Sequence, residues 1–186
     1  MRIISGKLKG KEINFIKVTS TRPLKDSVKE NIFNVLLHSN KIEVTLENAK
    51  VLDLYCGFGS FGLECLSRGA KQATFVEKDK KTFQILRQNI NRLKLQNISN
   101  PINLDIKNAL EMKKGEKYNI IFIDPPYKDL NYFDYLNFLK NNNFFEDKHL
   151  VVIHRESKKK EDFKSVLNIV LERYYGRSKI LFGYLN

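Results

Sequence analysis

The chain is 186 residues long and 42% hydrophobic, which favours one folded domain with a core and excludes a disordered polypeptide. No apolar run approaches the roughly 18 residues that span a membrane, and no secretory signal peptide is expected at the start. The formal net charge of +12 favours a polyanionic partner, because lysine and arginine that neutralise phosphates release condensed counterions. The two cysteines have no metal-ligand spacing, so we expect no metal site and a reducing, cytoplasmic location.

The first residues are basic and contain two turn glycines. Residues 2–15 form two short β-like pieces around Gly6 and Gly10, which predict an N-terminal hairpin. Residues 1–30 hold eight Lys or Arg against three acids, and a second basic cluster reads RESKKK at 155–160. We expect contacts with nucleic-acid phosphates from Lys7, Lys9, Arg22 and Lys25. Arg22 is equally suited to a structural ion pair.

A helix is predicted after the basic segment, and strands and helices alternate beyond it. Ser27 and Glu30 form a capping-box pattern ahead of apolar residues at helical spacing. Predicted strands lie at 50–55, 73–78, 101–106, 118–124 and 150–155, and two more, joined near Gly176, end the chain. Predicted helices lie at 60–69, 80–95 and 131–140. This alternation predicts an α/β fold with a doubly wound sheet, in which ligands bind at the carboxyl ends of the strands.

A glycine segment, residues 57–62, joins the first strand of this alternation to its helix. It reads G-F-G-S-F-G, and Gly57 and Gly59 allow a tight turn and a close approach of the backbone to a ligand. Glu77 lies at the end of the second strand, where a carboxylate can accept hydrogen bonds from ribose hydroxyls. The pattern therefore predicts a nucleoside cofactor.

The same spacing suits a nicotinamide dinucleotide and S-adenosylmethionine, and Asp53 favours the second. Its carboxylate lies inside the first strand, just before the glycine segment. There it repels a pyrophosphate and attracts the positive amino and sulfonium groups of S-adenosylmethionine. We therefore interpret Asp53, Gly57, Gly59 and Glu77 as an S-adenosylmethionine site. A structural glycine turn that binds nothing is the alternative.

The strand at 118–124 ends in Asp124, Pro125, Pro126 and Tyr127, the D-P-P-Y loop. An exocyclic amine of a nucleic-acid base is a poor nucleophile, because its lone pair is delocalised into the ring. The Asp124 carboxylate and the Pro125 carbonyl can accept its N–H bonds and expose the lone pair, while the prolines hold these acceptors in place. Tyr127 can stack on an extruded base. The loop predicts methylation of a base amine; a rigid turn with an exposed tyrosine is the alternative.

These residues resemble the class I methyltransferases and, more narrowly, the bacterial 16S ribosomal RNA guanine-N2 methyltransferase family (RsmD). The resemblance runs along nearly the whole chain. Besides the glycine segment and the D-P-P-Y loop, it rests on the opening Arg-Ile-Ile-Ser-Gly-Lys, on Thr21-Arg22-Pro23 and on Ser67-Arg68-Gly69-Ala70. The chain departs from the family at Cys56 and Phe58, where smaller residues are common, so a tighter cofactor pocket is expected.

The resemblance implies a seven-stranded sheet whose last strand is antiparallel, and methyl transfer to guanine N2 in a small-subunit hairpin loop. It implies an RNA-binding arm over residues 1–22 and a methyltransferase domain over residues 23–186. The implied partner is 16S ribosomal RNA, free or in a small-subunit particle, with no membrane and no obligate protein partner. Asn108 resembles the family's adenine-contacting position, and Asp105 is the competing candidate.

Three other functions stay open at this point. An adenine-N6 DNA methyltransferase uses the same loop chemistry, although 186 residues leave little room for its target-recognition domain. A dehydrogenase would bind NAD, and a non-catalytic RNA-binding assembly factor would use the basic face alone. The three histidines share no spacing and receive no role: His38, His149 and His154.

Overall fold

The computed structural model describes residues 1–16, 24–126, 128–159 and 161–186. Its strands are β1 (Lys50–Leu54), β2 (Gln72–Val76), β3 (Ser99–Ile102), β4 (Tyr118–Ile123), β5 (Phe145–Glu156), β6 (Leu167–Tyr175) and β7 (Ser178–Leu185). Its helices are α1 (Asp26–His38), α2 (Ser60–Ser67), α3 (Lys80–Arg92), α4 (Ile106–Met112) and α5 (Tyr132–Asn141), with a 3-10 turn at Gln96–Ile98.

The seven strands form one sheet in the order β3-β2-β1-β4-β5-β7-β6. Strands β1 to β5 are parallel, and β7 is antiparallel to both β5 and β6. This confirms the predicted doubly wound α/β sheet with an antiparallel last strand. The strand order reverses between β1 and β4, and the crevice at the carboxyl ends of such strands is where open α/β sheets bind ligands.

Helices cover both faces of the sheet. Alternate strand residues such as Val51 and Phe122 pack in one core with α1, α2 and α3. Their neighbours, such as Leu52 and Ile121, pack in a second core with α4 and α5. Burial on both faces explains why β1 and β4 are nearly continuous apolar runs in the sequence. None of the described helices combines the length and the apolar character needed to cross a membrane.

Three local predictions differ from the structure. Helix α1 begins at Asp26 without a side-chain cap, so the capping box at Ser27 is wrong. Strand β3 ends at Ile102, and the rest of the predicted strand 101–106 lies outside it. Helix α4 was not predicted; it forms because the Asp105 carboxylate accepts a hydrogen bond from the Asn108 N–H at 2.9 Å and caps the first turn.

The described part of the N-terminal arm, residues 1–16, is held against α2 by polar contacts. One antiparallel bridge joins Arg2 to Glu12, so the arm reverses direction between these residues, as in the predicted hairpin. The buried Glu64 carboxylate accepts the backbone N–H groups of Ile4 at 2.7 Å and Ser5 at 3.0 Å. The arm is thus docked on the domain over these residues, while the predicted boundary at residue 22 lies outside the described residues.

Gly6 packs against the Ser67 backbone at the end of α2, and its replacement should destabilise the protein. A side chain at Gly6, where φ is +81°, would overlap the Ser67 backbone carbonyl. We expect Gly6→Ala to lower the free energy of unfolding by about 3 kcal/mol, because left-handed strain and a backbone clash add. Gly10→Ala is the matched control, since φ is +83° there with no atom in the way. Equal losses for the two variants in denaturant titrations would contradict the close approach.

Candidate active site

A cavity of about 730 Å³ opens at the carboxyl ends of β1, β2, β4 and β5. Its volume lies in the range of small-molecule sites. Seven of the residues predicted from the sequence, including the alternative adenine contact, line it: Asp53, Gly57, Glu77, Asp105, Asp124, Pro125 and Pro126. The structure therefore brings Asp53, Gly57 and Glu77 to one cavity with Asp124 and the two prolines, whereas the predicted cofactor residues Gly59 and Asn108 are not on its wall. The N-terminal arm adds Met1 to this wall.

The glycine segment turns through two left-handed glycines, Gly57 with φ +56° and Gly59 with φ +86°. The Gly57 N–H donates to the Glu77 carboxylate at 3.1 Å and so ties the turn to the end of β2. A side chain at Gly59 would meet the Leu86 side chain of α3 at 2.5 Å. Gly59 therefore lets α2 and α3 pack closely, whereas Gly57 faces the cavity.

Asp53 carries a buried carboxylate that is only half satisfied. One oxygen accepts the Gly62 N–H at 3.0 Å, and the other, Oδ1, is buried without a hydrogen-bond partner among the described residues. Burial raises the pKa of Asp53 well above its usual value, and the nearby Asp124 and Glu77 carboxylates add to the rise. A cation that reaches this wall of the cavity would supply the missing partner.

Glu77 is partly buried beside Asp53. Its two oxygens accept the N–H groups of Gly57 at 3.1 Å and Asp79 at 2.8 Å, which fixes the direction of the carboxylate. Burial raises the pKa of Glu77. Each carboxylate oxygen has a further lone pair, so Glu77 can accept hydroxyl donors from a ligand.

The D-P-P-Y loop follows β4 directly. Asp124 lies 2.9 Å from the His154 ring, and the Pro126 carbonyl accepts the Asp129 N–H at 2.8 Å. The guanidinium of Arg155 is fully buried behind the loop and contacts the same Pro126 carbonyl at 3.4 Å. The Pro126 carbonyl is thereby engaged by the protein. Tyr127, the predicted stacking residue, lies outside the described residues.

Arg155 is held in turn by two side chains. Glu161 pairs with it at 2.7 Å, and the Tyr132 ring lies under its guanidinium at 4.4 Å. Arg155, the first residue of the basic run at 155–160, is therefore buried and supports the loop from inside the fold. Lys160 lies outside the described residues.

Sequence reasoning missed several residues on the cavity wall, among them Tyr55, Asp129 and His154. The Tyr55 hydroxyl donates to the Asp129 carboxylate at 2.9 Å, and Tyr55 adopts a left-handed φ of +59°. Burial raises the pKa of Tyr55, which keeps its hydroxyl a donor. His154 lies one residue past Ile153, which pairs with Ile123 in the sheet, so the β4–β5 register was the signal that places it beside Asp124.

The two candidates for an adenine contact differ in position. Asp105 lines the cavity, whereas Asn108 is exposed in the first turn of α4 and is not among the lining residues. Asn108 instead donates its backbone and side-chain N–H groups to Asp105, at 2.9 and 2.7 Å. Hydrogen bonds from Asn108 lower the pKa of Asp105 and keep it an acceptor at the cavity rim.

The predicted RNA-binding lysines Lys7, Lys9 and Lys25 are exposed and do not line the cavity. Arg22 lies outside the described residues. Within the described ranges, no group of three His, Cys, Asp or Glu side chains could hold a metal ion. Both cysteines are buried, and burial raises the pKa of each thiol, so they remain protonated.

Comparison with known proteins identifies relatives of the whole chain. Residues 1–184 match the family described as "Conserved hypothetical protein 95". The chain is 33% identical to the "Ribosomal RNA small subunit methyltransferase D" of Escherichia coli K12, over 84% of this chain and 75% of that protein.

Solved structures agree with this match. The structure of yhhF from Escherichia coli, described as a candidate methyltransferase, superposes with a TM-score of 0.81 and 28% identity over 100% of this chain and 98% of that one. SMU.776, solved in complex with SAH, has a TM-score of 0.64 over 84% of this chain and 49% of its own. Its 14% identity shows a shared fold alone. The chain therefore belongs to the RsmD family of class I S-adenosylmethionine-dependent methyltransferases.

Proposed function

We propose that this protein transfers a methyl group from S-adenosylmethionine to the exocyclic N2 of a guanine in 16S ribosomal RNA. The observation that carries the proposal is one cavity in which an unsatisfied buried Asp53 oxygen and the acceptors of the D-P-P-Y loop are both present. The relatives named as small-subunit ribosomal RNA methyltransferases support the RNA substrate. Guanine N2 as the target atom rests on the family resemblance.

The residues of the cavity fit S-adenosylmethionine, which supplies a methyl group already activated on a sulfonium. Asp53 would face its positive groups, and Glu77 would accept its ribose hydroxyls. Gly57 provides a wall without a side chain. We assign the adenine contact to Asp105 in preference to Asn108, because only Asp105 lines the cavity.

Asp124 and the Pro125 carbonyl are the proposed acceptors for the target amine. The Pro126 carbonyl already accepts the Asp129 N–H and contacts Arg155, which favours the Pro125 carbonyl as the second acceptor. Both acceptors are oriented before substrate binds, because proline fixes φ and Arg155 supports the loop. Tyr127 is the proposed stacking platform for the base.

The exposed lysines Lys7, Lys9 and Lys25, together with Arg22, are the proposed RNA contacts. We propose that the chain has two functional parts, an RNA-binding arm over residues 1–22 and a methyltransferase domain over residues 23–186. We further propose that it acts without an obligate protein partner. The cytoplasm is the proposed location, since ribosomal RNA is modified there in bacteria. Because such contacts neutralise phosphates, RNA affinity should fall steeply as salt rises.

Glu77→Ala tests the ribose assignment. We expect S-adenosylmethionine affinity, measured by calorimetry, to fall about ten- to a hundredfold, because hydrogen bonds to a charged acceptor contribute about 1.5–3 kcal/mol. Glu77→Gln is the matched variant: it retains a carbonyl acceptor for the Gly57 N–H and should bind with intermediate affinity. Unchanged affinity in Glu77→Ala would overturn the assignment.

Transfer of labelled methyl to nucleic acid tests the substrate class. The purified chain is incubated with free 16S RNA, with small-subunit particles, with duplex DNA and with no acceptor. Label in either RNA sample and none in DNA supports the proposal, and the RNA form that is labelled identifies the substrate. Label in DNA would support the adenine-N6 alternative, and no label with bound RNA would support a non-catalytic assembly factor.

A further inference from the structure

His154 connects the Asp124 carboxylate to the last strand of the sheet. Its Nδ1 lies 2.9 Å from Asp124 Oδ1, and its Nε2 lies 2.9 Å from the Ser178 hydroxyl. The ring is 7% exposed and lines the cavity. A nearly buried imidazole with a defined contact on each nitrogen is held in one orientation, and that orientation points at the proposed catalytic carboxylate.

The sheet register places these three side chains together. Strands β4 and β5 pair at Ile123 and Ile153, so the next residues, Asp124 and His154, lie side by side. Strands β5 and β7 pair His154 with Ile180 and Glu156 with Ser178. Ser178 is therefore the diagonal neighbour of His154 on the same face. His154 and Ser178 lie in regular strands and Asp124 directly follows one, which makes the site more rigid than one built on loops alone.

The direction of the hydrogen bonds follows from the chemistry of Asp124. An ionised carboxylate has no hydrogen to donate, so the Nδ1 of His154 must carry the hydrogen of the Asp124 contact. In the neutral ring Nε2 is then an acceptor, and the Ser178 hydroxyl donates to it. The chain of donors runs from Ser178 to His154 to Asp124.

We infer that His154 is a positioning residue for methyl transfer, which turns the Asp124 carboxylate so that Oδ2 faces the target amine. The inference rests on the proposed function. Oδ1 is occupied by His154, which leaves Oδ2 as the acceptor for the substrate. Ser178 holds the other side of the ring, because its hydroxyl can donate to Nε2.

Two amide variants distinguish two possible roles of His154: donating a hydrogen bond from the position of Nδ1, and only filling the space. The side-chain nitrogen of His154→Asn can occupy the place of Nδ1, whereas that of His154→Gln reaches toward the place of Nε2. We expect His154→Gln to lower kcat about ten- to a hundredfold and His154→Asn to stay within about threefold of the wild type. KM for RNA and the affinity for S-adenosylmethionine should change less than about twofold in both.

Ser178→Ala tests the contact at Nε2. It should lower kcat about threefold in the wild-type background and leave it unchanged in the His154→Asn background, because asparagine places no atom at the position of Nε2. Melting temperatures of all variants are measured to check that no loss of kcat results from unfolding.

The outcomes distinguish the inference from the function on which it rests. A wild type that transfers no methyl group to RNA overturns both. An active wild type whose His154→Asn and His154→Gln variants have equal kcat values, either both normal or both low, overturns the positioning role alone. A selective loss in His154→Gln supports it.

Discussion

Asp124→Ala should abolish methyl transfer, with kcat lower by about a thousandfold or more, while S-adenosylmethionine still binds. The carboxylate is the proposed acceptor of the target amine, and removal of one oriented acceptor or proton-transfer group typically lowers kcat 10²–10⁴-fold. Asp124 is partly exposed at the end of β4 and its backbone N–H contacts the Leu54 carbonyl, so truncation of the side chain should leave the sheet intact. Single-turnover transfer to RNA and calorimetry with the cofactor measure the two quantities separately.

A second acid serves as the control for Asp124. Asp134→Ala removes the same charge from an exposed position on α5 and should leave kcat unchanged. Loss of methyl transfer together with loss of cofactor binding in Asp124→Ala would show that Asp124 supports the cavity and is not the amine acceptor. Full activity in that variant would remove Asp124 from the reaction.

Asp53→Asn should weaken S-adenosylmethionine binding about a hundredfold and, at the same time, stabilise the cofactor-free protein. The amide can still accept the Gly62 N–H, so the packing is kept while the charge is lost. Burial raises the pKa of Asp53 well above its usual value, which means that the folded protein disfavours the ionised form. At neutral pH the substitution should therefore raise the free energy of unfolding of the cofactor-free protein.

The stability difference between the wild type and Asp53→Asn should depend on pH. A raised folded pKa contributes stability that is present below the unfolded pKa, near 4, and is lost as pH rises through the folded pKa. The stability advantage of Asp53→Asn should thus grow between pH 4 and pH 8. Affinity of the wild type for the cationic cofactor should increase as Asp53 ionises, and the Asn variant should lose that increase. Equal stability and equal affinity in the two proteins across this range would contradict the role of Asp53.

The strands, and the position of Asp53, Gly57 and Glu77 on one cavity wall, were predictable because their signals are local. Strands β1 and β4 are mostly apolar runs that are followed by glycine or proline turns, and Asp53, Gly57 and Glu77 are defined by their spacing around one β-α-β unit. The cavity places these residues together with Asp124 as the strand order requires. A periodic pattern does not predict an element when the segment is short. Helix α4 has only seven residues, with two exposed polar positions in its first turn, so it shows no clear apolar stripe.

Contacts between distant residues were not predictable from pattern. In the sequence, Arg155 is the first residue of a basic run. In the fold it is fully buried, because Glu161 and the Tyr132 ring compensate its charge. His154 gains its role from Asp124 and Ser178, which lie 30 and 24 residues away in the sequence. Only the register of three neighbouring strands brings this set together.

Identification of the methylated nucleoside tests the central claim most directly. RNA methylated by the wild-type protein is digested completely to nucleosides, and the labelled product is compared with standards by chromatography and mass spectrometry. We expect N2-methylguanosine, absent when Asp124→Ala replaces the wild type. Label in N6-methyladenosine, in a ring-nitrogen methyl group or in a ribose methyl group would contradict guanine N2 as the site of transfer.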